Sequence, residues 1–449
     1  MKHYKKERCE DTYNNKNLKL SRYVLIEEID NYYYLYNLKN SALVRLDDST
    51  FLNLKKKNFK KLNKNIIDLM KDRGFLVSCE ICEGKELIKE MNSLEKVSQY
   101  KQIHLTIAPT FLCNLNCDYC FTRKNKEIIS QEVLLNIYQL IEYYINKYNS
   151  IVNINWFGGE PVLALDAIEN FMTKLIKRFG IEKFKTMMTT NGYLLTINNF
   201  KKIINSGIKI LQITIDGDEE RHNIYRTTKD GKGTYKAIIK NIYDILETED
   251  DFLLNIRCNF YPEDISCKED IFQDIRNIVA MDKRVVMQLK PVLNFKNKES
   301  NKYFNNYCEV ESIRSIITQS MNKENIYASS IMPKARCKWC NSGKSGAYNI
   351  GPKGELYLCK SEFGHEDKII GYLKDHGKVV KLANFYEIEE KYIKLVNEKC
   401  TDCNRLPICM GGCKVFQINK SEATCYWTED DVKNLYKIWI NNKIKNNVE

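Results

Sequence analysis

The sequence predicts an α/β protein in three parts. A small strands-then-helices module comes first, an open partial barrel of six βα units follows, and a cysteine-rich block ends the chain. Three observations predict this. Apolar runs and amphipathic helical segments alternate six times between residues 102 and about 320, the pattern of a parallel sheet with helical crossovers. Residues 22–78 instead run strands first and helices second. Of the seventeen cysteines, eight fall between residues 337 and 425, and three lie inside CNLNCDYC, residues 113–120.

The 449 residues exceed what one compact core accommodates. The opening MKHYKKERCEDTYNNKN is charged and has no apolar stretch, so it is no secretory signal. No run of about 18 apolar residues occurs, so no membrane span is expected, and a cytoplasmic protein is. In that compartment, an odd number of clustered cysteines argues for metal or iron–sulfur ligation rather than disulfides. The net charge of +12 is not gathered into a basic stripe with interleaved aromatics, so a nucleic-acid partner is not expected.

Residues 1–78 form the first part. YVLIEEI, YYYLYN and ALVRL read as strands rich in aromatic and branched residues, with NLKNS as a turn. DDSTFLNLKKK and KLNKNIIDLMKDRGFL read as helices stopped by Gly74. This order suits a winged-helix-like module. Residues 79–101 read as a polar helical linker carrying a lone C-x2-C, Cys79 and Cys82.

Residues 102–320 form the barrel. IHLTIAP is its first strand. SQEVLLNIYQLIEYYINKY is a helix, with Val133, Ile137, Leu140, Ile141 and Tyr144 on one face and Ser130 as its cap. VNINWF, FKTMMTT, IKILQITI, FLLNIRCNF and RVVMQLKPV are the later strands. Helices at 164–179, 197–205, 234–247 and 267–281 lie among them. Six units are too few for a closed eight-unit barrel. In parallel βα barrels the chemistry sits at the C-terminal strand ends, so the residues just after each apolar run are the ones to read. Residues 321–449 hold the second cysteine set and a final helix at 428–447, capped by Thr428.

The first strand runs into CNLNCDYC, a C-x3-C-x2-C triplet of Cys113, Cys117 and Cys120. Three thiolates in one tight loop hold three irons of a 4Fe–4S cluster and leave the fourth open. The motif, with Tyr119 before its last cysteine, resembles the cluster loop of radical S-adenosylmethionine (radical SAM) enzymes. In that family the open iron takes the amino and carboxylate groups of SAM. The second strand ends in WFGGEP, where Gly158, Gly159 and Glu160 are similar to the family's GGE motif, a contact of the SAM amino group. The third ends in TTNG, with Thr190 and Asn191. The fourth ends in TIDG and RHNIYR, with Thr214, Asp216, His222, Asn223 and Arg226. These patterns are similar to family members that act on peptides and proteins, and their polar groups suit the ribose and carboxylate of SAM. His222 reads equally as a ligand or as a structural hydrogen-bonder. QLKPV ends the sixth strand, where its backbone is in place to meet the adenine.

The C-terminal block reads C-x2-C-x18-C and then C-x2-C-x5-C-x3-C-x11-C. Two four-cysteine zinc sites are one physical reading. The string also resembles the SPASM extension of radical SAM enzymes, which carries two auxiliary 4Fe–4S clusters. That resemblance assigns Cys340, Cys359 and Cys413 to one cluster, with Cys337 as its fourth ligand or an open iron instead. It assigns Cys400, Cys403, Cys409 and Cys425 to the other. Cys9, Cys258, Cys267 and Cys308 read as ordinary thiols, although an inward-facing Cys258 would be a hydrogen-atom donor.

The resemblance implies a partial (β/α)6 radical SAM barrel with a SPASM domain, three 4Fe–4S clusters and SAM. It implies an electron donor of the flavodoxin or ferredoxin type, and cleavage of SAM to a 5′-deoxyadenosyl radical that removes a substrate hydrogen. Residues 22–78 resemble the precursor-recognition module of ribosomal-peptide (RiPP) maturases, which pairs a leader peptide with a strand edge. Lys55, Lys56, Lys57, Lys60, Lys61 and Lys64 would attract an acidic leader, or simply form a solvated face. The expected function is installation of a thioether or carbon–carbon crosslink in a precursor peptide. The alternatives are an anaerobic sulfatase-type maturase and a zinc-bearing nucleic-acid-binding protein.

Overall fold

The computed structural model describes residues 17–98, 100–265, 271–294, 302–304, 332–336, 340–342, 344–420, 425 and 427–445. Cys9, Cys267, Cys308 and Cys337 lie outside them.

The N-terminal module is built on β2 (Val24–Ile29), β3 (Tyr32–Asn37) and β4 (Leu43–Asp47), an antiparallel meander in the order β2-β3-β4. β1 (Leu18–Leu20) pairs with β5 (Leu76–Ser78) in a separate ribbon. The sequence reading missed that ribbon, because three residues are too few to show an alternation. Asp47 caps helix Asp48–Lys55 by accepting from Thr50 N. Gly74, at φ +72°, ends helix Lys64–Asp72 where a side chain would be strained. Leu35, Phe51, Leu54, Ile67, Met70 and Phe75 form the module's own core.

Residues 79–101, expected as a polar helical linker, do carry a helix, and it packs into the fold. Helix Glu83–Ser98 buries Leu87 and Met91 against Tyr23, Leu25 and Tyr36 of the module and Val432, Leu435 and Tyr436 of the last helix. At its start, buried Glu83 accepts from Ser21 Oγ at 2.5 Å and Arg22 N at 3.0 Å. One apolar residue per turn is enough to seat a helix that is polar overall.

The barrel strands are β6 (Gln102–Ile107), β7 (Ile151–Trp156), β8 (Phe184–Thr190), β9 (Ile210–Ile215), β10 (Leu253–Phe260) and β11 (Val285–Pro291). They pair in parallel with their sequence neighbours, as alternating strand and helix requires. The helix predicted from Ser130 is Gln131–Tyr148, and Ser130 Oγ accepts from Val133 N at 3.2 Å. Its five predicted core residues are buried.

The sheet does not stop at β6. β12 (Ala347–Ile350) pairs in parallel with β6, and the antiparallel strands β13 (Glu355–Tyr357), β14 (Ile369–Lys374) and β15 (Lys378–Lys381) continue it to ten strands. The cysteine-rich block is thus hydrogen-bonded to the barrel edge beside the strand that leads into CNLNCDYC. Among the described residues, no helix is long and apolar enough to cross a membrane.

Candidate active site at the barrel mouth

The loops after β6 to β11 converge on one cavity. Its wall includes Cys113, Cys117, Tyr119, Cys120, Gly158, Gly159, Thr190, Asn191, Thr214 and Arg226. The sequence reading named all ten.

The cysteine loop is pinned on several sides. Asn116 N donates to Thr227 O at 2.8 Å, and Lys124 Nζ donates to Leu115 O at 2.6 Å. The GGE turn packs directly under the loop. Gly159 N reaches Thr110 O at 2.9 Å and Glu160 N reaches Leu112 O at 2.7 Å. A Cβ on Gly159 would lie 1.9 Å from Leu112 O, and one on Gly158 would lie 2.6 Å from Thr110 O. These glycines admit the neighbouring backbone.

Glu160 is fully buried and does not line the cavity. It accepts from Thr190 Oγ1 at 2.7 Å, Asn191 N at 2.7 Å and Val162 N at 3.1 Å. Burial pushes its carboxyl upward, and the three donors oppose that. Glu160 therefore holds the TTNG turn in place. From that turn, Asn191 Nδ2 reaches Asn114 Oδ1 at 2.8 Å and Cys113 Sγ at 3.8 Å.

Asp216 likewise sits behind the wall, accepting from Asn259 Nδ2 at 2.9 Å and Tyr261 OH at 3.2 Å. Asn259 Nδ2 also meets the Tyr119 hydroxyl at 3.0 Å, to which Arg226 donates at 2.6 Å. His222 is structural. Its Nδ1 accepts from Asp216 N at 3.4 Å, and its Nε2 lies 3.1 Å from Thr234 Oγ1. That hydroxyl already donates to Arg226 O at 2.6 Å, so Nε2 carries the proton and the ring is neutral. Burial, helped by the charge of Arg226, pushes the imidazole down to about 2. Asn223 Oδ1 takes Thr234 N and Tyr235 N, capping helix Tyr235–Leu246 from outside.

Cys258 is fully buried in the barrel core and does not line the cavity, so it is no hydrogen-atom donor to a substrate there. Strand alternation turns its neighbours Arg257 and Asn259 to the cavity instead. Attention to the cysteine hid them, although the same alternation predicts them once Cys258 is assigned to the core. Pro291 and Val292 line the far side, where QLKPV was expected, with Phe121 and Phe157.

The donors fit a 4Fe–4S cluster and SAM. Three sulfurs face one cavity, and burial holds Cys113 up near 12 and raises Cys117, so a cation must displace their protons. Thr189 Oγ1 and Arg226 Nε, both on cavity residues, and Asn114 Nδ2 beside them are buried with no hydrogen-bond partner among the described residues, as a polar ligand there would require.

The second cysteine set separates into two groups. Burial pushes Cys413 up to about 12, with Cys359 and Cys340 close enough to add to it. Burial does the same to Cys400, where Cys409, Cys403 and Cys425 contribute. Tyr392 lies within electrostatic reach of both groups. Among the described residues, no three His, Cys, Asp or Glu side chains are grouped as ligands of one metal ion. His365 Nε2 lies 2.9 Å from Phe121 O, and Arg123 N donates to Phe363 O at 3.0 Å, tying this block to the first cysteine loop.

Residues 107–251 match the model of the Radical SAM superfamily, from the end of β6 to just before β10. This chain is an enzyme that carries a radical SAM domain. The radical SAM cyclopropyl synthase TigE of Paramaledivibacter caminithermalis is 23% identical, over 96% of this chain and 97% of that protein. The cysteine-type anaerobic sulfatase-maturating enzyme of Clostridium novyi is 25% identical, over 70% of this chain and 88% of that one. The crystal structure of Streptococcus suis SuiB bound to its precursor peptide SuiA shares the fold, with a TM-score of 0.51 and 16% identity, covering 93% of this enzyme and 100% of SuiB. The Radical SAM domain implies a 4Fe–4S cluster and SAM.

Proposed function

We propose that the enzyme is a maturase of a ribosomally made precursor peptide, holding the leader on its N-terminal module and forming a thioether or carbon–carbon crosslink at the barrel mouth. One observation carries the reading. β2 and β4 are edge strands, and beside β2 lies a cleft of about 610 Å³ against helix Asp48–Lys55. Ile26, Tyr33, Leu35, Phe51 and Leu54 give it an apolar floor, and Lys55 and Lys57 stand at its wall with Glu27 and Glu28. An extended peptide added to β2 would gain main-chain hydrogen bonds there and place alternate side chains in the cleft. Likeness to TigE and SuiB extends over 96% and 93% of the chain, whereas likeness to the sulfatase maturase covers 70%. That contrast favours a reading in which the N-terminal module takes part over the sulfatase-type alternative.

Cys113, Cys117 and Cys120 would hold the cluster whose open iron takes SAM. Asn191, Thr214 and Arg226 would orient SAM from the cavity wall, with Glu160 and Asp216 positioning them from behind. When bound, cluster and SAM supply the one-electron chemistry that opens an unactivated C–H bond. Cys340, Cys359 and Cys413, with Cys337 or an open iron, and Cys400, Cys403, Cys409 and Cys425 would hold two auxiliary clusters of a SPASM domain. A flavodoxin- or ferredoxin-type protein would donate the electron, in the cytoplasm.

Anaerobic reconstitution tests the reading. Three cubanes contain roughly twelve irons and twelve sulfides. Short peptides encoded beside the gene should lose two hydrogens when incubated with SAM and reductant. Zinc alone would overturn the assignment. Oxidation of a single Cys or Ser side chain, without a crosslink, would favour the sulfatase-type alternative.

A further inference from the structure

Cys258 belongs to the core, so the cavity lacks that thiol as a hydrogen-atom donor. The wall offers a phenol instead. Among its described residues Tyr119 is the one tyrosine, and no tryptophan or methionine lines it. The Tyr119 hydroxyl accepts from Arg226 at 2.6 Å and from Asn259 Nδ2 at 3.0 Å, so its own hydrogen is used in neither bond. Its ring meets that of Tyr261 edge-on, 6.2 Å between centres. Tyr261 in turn stacks on Tyr225 at 4.1 Å and lies 6.4 Å from Tyr303. With Val292, the four tyrosines form a cluster of their own. Each phenol beyond Tyr119 donates to a carboxylate. Tyr261 reaches Asp216 at 3.2 Å, Tyr225 reaches Glu263 at 2.5 Å and Tyr303 reaches Asp118 at 2.6 Å. Asp216 is buried, whereas the Glu263 and Asp118 side chains are 56% and 41% exposed. A buried phenol needs some partner, and a carbonyl would serve for packing. A carboxylate does more: it is basic enough to take the proton that a phenol sheds on giving up an electron.

We propose that Tyr119 and Tyr261 form a radical sink, which draws an oxidising equivalent that no substrate has consumed out of the cavity and holds it on Tyr261. Tyr119 gives the hydrogen atom of its phenol to a primary carbon radical, the class of species that SAM cleavage supplies. Its O–H bond breaks, a C–H bond forms, and Tyr119 is left as a phenoxyl. Tyr261 then passes it an electron. Asp216, bonded to both phenols, takes the Tyr261 proton and hands one to Tyr119. Tyr119 is a phenol again and Tyr261 is the phenoxyl, shielded in the interior by the stacked Tyr225 ring. Tyr261 recovers when a one-electron donor of the class that reduces the cluster supplies an electron across the Tyr225 or Tyr303 ring, and water supplies a proton. In sum the carbon radical gains one hydrogen atom, paid out as one electron and one proton from solution. The proposal rests on a cluster and SAM occupying the cavity and is independent of the peptide-maturase reading.

The test is electron paramagnetic resonance of the full-length holoenzyme. The reconstituted protein is reduced, freed of excess reductant, mixed with SAM in the absence of any peptide and freeze-quenched. The wild type should show the signal of a neutral phenoxyl, and the signal should narrow when the protein is made with ring-deuterated tyrosine. Y261F should lose that signal, leaving either none or one with the different β-proton splittings of Tyr119. A signal that does not narrow, or a spectrum identical in wild type and Y261F, overturns the proposal. So does SAM cleavage by the wild type without any phenoxyl, because the tyrosines then serve packing only. Should Y261F fail to hold iron, Y225F combined with Y303F decides. Its phenoxyl should form as in the wild type but survive several-fold longer once reductant is added back, and an equal lifetime overturns the proposal. SAM cleavage is measured in parallel. A wild type that holds its iron yet cleaves no SAM would overturn the assignment of cluster and SAM to the cavity, and the radical sink with it, whereas cleavage without a phenoxyl removes only this inference.

Discussion

The Glu160 carboxylate accepts the backbone N–H of Asn191 at 2.7 Å, so the end of β7 holds the end of β8 in position. The contact sits behind the cavity, and Asn191 passes it on to Cys113. In Glu160→Gln an amide N–H₂ must face the Thr190 hydroxyl or the Asn191 N–H. A lost charge-assisted bond costs about 1.5–3 kcal/mol. SAM affinity should fall roughly tenfold or more, as measured by equilibrium dialysis. Iron content should stay near normal, because the bond from Glu160 N to Leu112 O does not involve the side chain. Unchanged affinity would show that the TTNG turn needs no such support.

Gly159→Ala should be far more damaging than its size suggests. The added methyl would lie 1.9 Å from Leu112 O, a backbone atom that cannot swing aside. We expect a cost of about 3 kcal/mol or more and reduced iron content. Gly231→Ala is the control. It sits at φ +80° with nothing within 4 Å of its Cβ, so only conformational strain of about 1–2 kcal/mol applies. Thermal midpoints and iron assays of the two variants give the comparison.

Replacing Cys113, Cys117 and Cys120 together with Ala should remove about four irons, one cubane's worth, and all SAM cleavage. Cleavage at the wild-type rate would place the reactive cluster elsewhere in the chain.

His222 makes the fold sensitive to acid. Its folded pKa, about 2, lies below the ordinary 6.5. Its stabilising contribution is thus complete above pH 6.5 and declines as the pH falls toward 2, because the unfolded chain binds the proton first. The slope is about 1.4 kcal/mol per pH unit for one group. His222→Asn removes this titration. Its unfolding free energy should be lower at pH 7.5 but should fall less steeply between pH 6.5 and 5 than that of the wild type. Parallel pH profiles in denaturant melts would contradict the buried, neutral ring.

The leader cleft is better tested by charge than by truncation. Deleting residues 1–78 would strip Tyr23, Leu25 and Tyr36 from the core they share with the last helix. Lys55→Glu with Lys57→Glu leaves that core intact. The double variant should weaken precursor binding several-fold at low salt, with the difference shrinking as salt rises. SAM cleavage should be retained, since both lysines lie in the module and every cavity residue lies beyond residue 112. A salt-independent affinity equal to that of the wild type would remove the cleft from leader recognition.

The alternation of strands and helices, the C-x3-C-x2-C loop, and the GGE, TTNG and TIDG turns were all legible in the sequence. Each is local: a period of two or 3.6, or a motif within a few residues of a strand end. Local chemistry in the chain therefore determined the parallel barrel and the residues at its mouth. Tertiary structure alone decided which of those residues face the cavity and which stand behind it. Glu160, Asp216 and His222 carry functional-looking groups, yet all are buried and hydrogen-bonded within the protein. Arg257 and Asn259 looked unremarkable beside Cys258 until strand alternation turned them inward. Contacts between distant segments were likewise invisible. Leu87 and Met91 meet the last helix, and β12 joins the edge of β6, across hundreds of residues of chain. A side chain's period determines its face, but what that face meets depends on how all the elements pack together.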